Sequence, residues 1–163
     1  MGVNKALPHV LVLPEDDANL RLANEFHTCV DWPRYRQMQV LPVAGGWSKV
    51  LDQFESVHVT EMNNCQCRFM VLLIDFDGDR DRLQRAKNRI PEHLLDRVFV
   101  LGAWSTPEAL KNALGSYETI GSDMATDCRE GTDKIWTNGL LRHNATEIDR
   151  LREHVRPILF SPI

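Results

Sequence analysis

Glu15, Asp75, Asp77 and Asp79 are the residues whose type and spacing best suit chemistry. Glu15 stands two positions after the apolar run His9–Leu13 (H-V-L-V-L). Asp75, Asp77 and Asp79 form D-F-D-G-D directly after a second apolar run, Phe69–Ile74 (F-M-V-L-L-I). In extended chain, side chains at i and i+2 leave on the same side, so Asp75 and Asp77 are expected to face one way. Gly78 then lets the backbone turn tightly. Carboxylates held together repel and raise one another's pKa, so such a cluster is costly unless a cation sits among them. Hard oxygen donors completed by water suit Mg²⁺ or Mn²⁺. An ion so held stabilises charge developing on a phosphate and activates an attacking oxygen, which is the chemistry of phosphoryl transfer.

A phosphate chain would need a grip. Arg82, Arg85 and Arg89 share one helical face that begins just after the acids, and they are candidates to hold nucleic-acid phosphates. The bland alternative is a solvated basic face paired with Asp81 and neighbouring acids. The net charge of −4 and pI near 5.8 argue against a free-standing binder that works by neutralising phosphates. They leave room for a binder whose acidic site is neutralised by metal ions.

The elements that must position these residues alternate. His9–Leu13 reads as a buried strand closed by Pro14, and Asp16 or Asp17 can cap the helix that follows. Tyr35 to Val43 reads as a weaker second strand, because Pro42 lies inside it. After the Gly45-Gly46 turn, Ser48 is placed as an N-cap. Phe69–Ile74 is apolar at every position, so both its faces should be covered. A charged helix is expected from about Asp81 to Arg89, then a fourth strand at Arg97–Leu101. A further helix is opened by Thr106-Pro107-Glu108. From Tyr117 onward the pattern is helical, and Pro157 is expected to end or bend the last helix. Strands alternating with helices predict a mainly parallel, four-stranded or slightly larger α/β sheet with helices on both faces. The 163 residues read as one domain: an α/β core over 8–114 and a helical C-terminal extension over 115–163 packed on it.

Strand–Glu, an intervening α/β unit, then strand–D-x-D resembles the TOPRIM domain of topoisomerases, primases and OLD-type nucleases. The matching residues are Glu15 after V-L-V-L-P, and Asp75 and Asp77 in L-L-I-D-F-D-G-D. The OLD branch adds Gly45-Gly46-x-Ser48-Lys49 before a helix, and an acid at the helix after strand four, here Glu108. The family usually has Gly after its first Glu, where this chain has Asp16, and Asn19 stands where one branch has a second Glu. The resemblance implies a TOPRIM-like, Rossmann-like fold. It implies Glu15 as general acid or base and metal ligand, Asp75 and Asp77 as ligands of Mg²⁺ or Mn²⁺, and Asp79 and Glu108 as further acids. Lys49, Arg82, Arg85 and Arg89 would then face a nucleic-acid substrate, DNA first, and a separate ATPase subunit would be the partner. A non-catalytic TOPRIM-like or receiver-like subunit serving as a protein-interaction module is the alternative.

Other resemblances are narrower. D-F-D-G-D is similar to the nucleophile loop of haloacid-dehalogenase phosphatases, but it lies mid-chain and has Asp79 in place of a Thr. V-L-V-L-P-E-D-D-A-N-L resembles the opening of a response-regulator receiver domain, with Asp75 as the candidate phosphoacceptor but no matching Lys. Gly45-Gly46-Trp47-Ser48-Lys49 is not a P-loop. Cys29, Cys65, Cys67 and Cys128 are scattered, and the one close pair is C-x-C, so they read as small buried or half-buried thiols and not as a zinc framework. His143-Asn144 reads as a helix cap. Trp47 and Trp104 are placed to line or shield the acidic site. The opening M-G-V-N-K-A-L-P lacks the core and cleavage site of a signal peptide, and no apolar run is long enough for a membrane span. A cytoplasmic location is expected.

Overall fold

A computed structural model describes residues 2–162. Four strands form one all-parallel sheet: β1 (His9–Pro14), β2 (Met38–Val40), β3 (Arg68–Leu73) and β4 (Val98–Leu101), in the order β2-β1-β3-β4. The two most apolar strands therefore lie side by side at the centre, paired from His9↔Arg68 to Pro14↔Leu73. That register sets Glu15 and Asp75 next to each other just beyond the paired ends.

Both faces of the sheet are covered, as strands without polar alternation require. On one face Leu11, Leu13, Met70, Leu72 and Val100 pack against α2 (Trp47–Gln53), α3 (Val59–Asn64) and α4 (Arg82–Asn88). On the other, Val10, Val12, Val71, Phe99 and Leu101 meet α1 (Asp17–Thr28), α6 (Tyr117–Glu130) and α7 (Ala145–Leu159). The C-terminal helices are thus a layer of the core. Gly121 lets α6 approach α1, since a Cβ there would strike the Leu22 carbonyl. An apolar cavity of about 80 Å³ remains on this face, walled by residues such as Val12, Leu22, Met124 and Leu151.

Side chains of the C-terminal segment cover the free edge of β4. The Asn144 carbonyl oxygen accepts the Gly102 N–H at 3.2 Å, and its amide donates to Gly102 O at 3.0 Å. Glu147 Oε2 accepts the Val100 N–H at 3.0 Å. Arg150 donates to Leu95 O and, at 3.5 Å, to Val98 O. Residues 144, 147 and 150 recur at helical spacing along one face, and the groups at 98, 100 and 102 recur at strand spacing along one edge. An edge that would otherwise template another chain is closed by polar side chains. The opposite edge is β2, only three residues long.

Several local expectations need correction. The second strand does not run from Tyr35 to Val43. Trp32–Gln37 is a 3₁₀ helix with Pro33 near its start, and only Met38–Val40 pairs. The chain beyond still follows β1, with Leu41 N–H on Val12 O (2.8 Å) and Ala44 N–H on Pro14 O (3.0 Å). Pro42, with no N–H, falls in the stretch where pairing stops. Ser48 is not a cap: α2 begins at Trp47 with Gly46 at the cap position. Pro157 does not end α7, which continues to Leu159. Asn144 occupies the cap position of α7 but its side chain serves Gly102 instead. By contrast, Asp16 does cap α1, accepting the Asn19 N–H at 2.9 Å. Thr106 caps α5 (Pro107–Leu114), accepting the Ala109 N–H at 3.2 Å.

Candidate functional site

The carboxyl ends of β1 and β3 carry an acidic rim. Glu15 extends the β1–β3 ladder, its N–H on Leu73 O at 2.9 Å. Its side chain turns to the neighbouring strand, where Oε2 accepts the Asp75 N–H at 2.6 Å. The loop after β2 closes the other side, with the Gly45 N–H on Glu15 O at 2.9 Å.

Asp75 is only 4% exposed. Asn19, buried in the first turn of α1, donates to Asp75 Oδ1 at 3.4 Å. Burial, then the charges of Asp16 and Glu15, push Asp75 up to about 8. Glu15 is raised as well, chiefly by burial. The Asp75 N–H opposes that rise, and the charges of Asp16 and Asp77 add to it. Asp75 is thus a buried carboxyl crowded by two neighbouring acids.

Asp77 does not share the direction of Asp75 as an extended D-x-D would. Its φ is +48°, in the left-handed region, because the strand has ended and the chain is already turning. The turn is tied to the segment after β4 by Phe76 N–H on Ala103 O (2.9 Å) and Gly78 N–H on Trp104 O (2.7 Å). Gly102 allows this closeness, since a Cβ there would overlap the Ile74 carbonyl. Asp77 stays half exposed and pairs with Arg82 Nη1 at 2.9 Å. The same nitrogen donates to Asp75 O at 2.7 Å. The Arg82 guanidinium lies 4.4 Å from the centre of the Trp47 ring, a cation–π contact in a partly dry setting. Arg82 is therefore the cation nearest the acids, and it holds the backbone of Asp75 and the side chain of Asp77, not the Asp75 carboxyl.

The remaining predicted residues lie around this centre. Asp79 accepts the Asp81 N–H at 2.9 Å and pairs with Arg85. Arg89 is held by Asp52 (2.5 Å) and Glu55 (2.8 Å) on the α2 side. The three arginines of the α4 face are thus each engaged by an acid, though none by Asp81, and Arg82 is buried. Lys49 is exposed on α2, its ammonium over Gly45. Glu108 is exposed in the first turn of α5. It reaches the rim only through the field at Tyr117. Burial, then the charges of Glu108 and Asp16, push that buried phenol up, with Asp75 adding a smaller push. Trp47 lies under Arg82. Trp104 lies against the half-buried His143, ring centres 5.3 Å apart.

Sequence reasoning placed Glu15 and Asp75 but gave no role to Asp16, Asn19 or Tyr117 at the site. Asp16 and Asn19 carried a signal: the cap residue and the residue three positions later sit on the first turn of a helix launched from the site. Tyr117 carried none, because α6 meets α1 only through tertiary packing. No family model matches the chain, and neither a curated protein nor a solved structure matches it.

Proposed function

We propose that this rim is a divalent-metal centre and that the chain is a metal-dependent phosphodiester-processing domain. Its substrate on this reading is nucleic acid, DNA first, and it acts alongside a separate ATPase subunit. The observation that supports the reading is a buried carboxyl, Asp75, at a strand end where the Glu15 side chain is held against its main-chain N–H. Asp75 is buried against Asp16 and Glu15, and its pKa near 8 marks a place where positive charge is lacking. The oxygens of Glu15, Asp75 and Asp16, with Asp77 at the margin, are of the type that Mg²⁺ or Mn²⁺ takes; they do not stand within 4.8 Å of one another as a group, so an ion would have to draw them together. A bound ion would neutralise these carboxylates and stabilise the negative charge that develops on a phosphate.

The chain's own residues do the rest. Glu15 is fixed by the Asp75 N–H and raised toward neutrality, which suits a group that takes up or releases a proton. Asn19 orients Asp75. Arg82 holds the turn that carries Asp77, and Trp47 holds Arg82. Lys49 stands on the open side, where a phosphate would enter.

The test is nicking or cleavage of DNA and RNA with Mg²⁺ or Mn²⁺, with and without the products of neighbouring genes. Glu15→Gln keeps the size of the side chain but exchanges no proton, so activity should fall by about 10²–10⁴ with the fold intact by circular dichroism. Wild-type protein that stays inactive with its full set of partners defeats the enzymatic reading.

One observation favours a second reading. Arg82, Arg85 and Arg89 all hold acids of the same chain, which leaves little to grip a phosphate backbone. The strand order β2-β1-β3-β4 is the one a flavodoxin-like sheet begins with, and Asp75 follows two residues after the third strand. On this reading the chain is a receiver-like interaction module, and Glu15→Gln leaves partner binding unchanged.

A further inference from the structure

The opposite end of the same two central strands carries a second cluster. His9 opens β1, and Cys65 and Cys67 lie in the turn that leads into β3. One donor atom from each of these three side chains lies within 4.8 Å of the other two. The register holds them there: β1 and β3 pair at His9↔Arg68, and the His9 N–H donates to Cys67 O at 3.1 Å. The sequence spacing C-x-C concealed this, because the third donor is more than fifty residues away along the chain and arrives through strand pairing.

We propose that His9, Cys65 and Cys67 form a binding site for a thiophilic divalent ion, Zn²⁺ first. Two thiolates on one tetrahedral zinc, each at about 2.3 Å, stand about 3.8 Å apart. The Cys65 and Cys67 sulfurs are 3.6 Å apart. The backbone has thus already set the thiols at the separation the ion demands. Thiolate and imidazole donors select Zn²⁺ over Mg²⁺ or Mn²⁺, which take oxygen. The site is therefore different in kind from the acidic rim and independent of it.

The surroundings suit entry and exchange. His9 is wholly buried, while both cysteines are half-buried, so an ion approaches from the cysteine side. No fourth His, Cys, Asp or Glu joins the group among the described residues. Three protein ligands leave one position for water or an outside ligand, as in exchangeable and catalytic zinc sites. Uptake has one local requirement. Arg68 Nε donates to His9 Nε2 at 3.0 Å, which puts the ring proton on Nδ1 and directs it to Leu7 O at 2.8 Å. One of these two hydrogen bonds must give way to the ion. If Arg68 yields its bond, its Nε–H must find another acceptor, while its Nη1 stays paired with Glu61. If Leu7 keeps Nδ1–H, it supplies the outer-shell hydrogen bond that ligand histidines commonly make.

Cobalt(II) titration of the reduced, metal-free full chain tests the site, because thiolate-to-cobalt charge transfer in the near ultraviolet reports sulfur ligation directly. The expected result is one equivalent taken up with that band, displaced by one equivalent of Zn²⁺. Cys67→Ser should remove the band and weaken zinc binding at least ~100-fold, the upper range for loss of a mere outer-shell partner. Circular dichroism should show that variant folded, since the Cys67 side chain is not part of the core. Asp75→Asn should leave the band untouched, which separates this site from the acidic rim. Wild-type protein that gives no sulfur band, or a band that persists in the Cys65→Ser, Cys67→Ser double variant, overturns the proposal.

Discussion

Glu15 and Asp75 are sixty residues apart in sequence, yet Glu15 Oε2 accepts the main-chain N–H of Asp75 at 2.6 Å. The bond ties the ends of the two central strands together through a side chain. It also fixes Glu15 beside a carboxyl that is buried against Asp16. The fold thus sustains an arrangement that is unfavourable for it unless a proton or a cation is present. Binding sites commonly carry such a cost.

That cost has a sign that can be measured. Asp75 titrates near 3.8 in the unfolded chain and near 8 in the fold. Between those values the native state keeps a proton that the unfolded state has lost, so stability falls as pH rises from about 4 to about 8. Asp75→Asn cannot lose that proton. Without metal, the variant should match wild type near pH 4. It should become more stable than wild type by pH 8.5, by on the order of a few kcal/mol. Urea unfolding across this range checks it, and a wild-type-to-variant difference that does not change with pH contradicts it.

A second prediction concerns the sheet edge. Glu147 is 1% exposed, accepts the Val100 N–H and is flanked by Lys87 and Arg150, which is 2.9 Å away. Glu147→Ala removes the acid that both cations share, leaves Arg150 only its carbonyl partners, and frees a strand N–H. It should cost about 3 kcal/mol and expose β4 to pairing with other chains. Thermal melts and light scattering measure the two effects. A variant as stable as wild type would mean that the helix alone shields the edge.

The parts of this molecule that were legible in the sequence are those written in local pattern. Phe69–Ile74 and His9–Leu13 are apolar on both faces, and such strands have to lie at the centre of a covered sheet. The acids directly behind them then had to meet at one rim. The parts that were not legible depend on tertiary context. Asp77 turned away because the backbone enters a left-handed turn one residue after Phe76, which side-chain alternation cannot foresee. Asn144 looked like a helix cap, and its amide found both hydrogen-bonding groups of Gly102 instead. Tyr117 packs with Leu22 because tertiary folding lays α6 on α1, an approach Gly121 permits. His9 joined two cysteines because of strand register, which no spacing rule within a short segment can reveal.

On the proposed reading the rim of Glu15, Asp16 and Asp75 takes a divalent cation, which relieves the crowding that pushes Asp75 up to about 8. Calorimetric titration of Mn²⁺ at pH 8 into wild type and Asp75→Asn tests it most directly. Wild type should bind one or two ions, and the variant should bind at least tenfold more weakly, since it loses a buried anionic ligand. Wild-type protein that binds no Mn²⁺, or a variant that binds it equally well, contradicts the account.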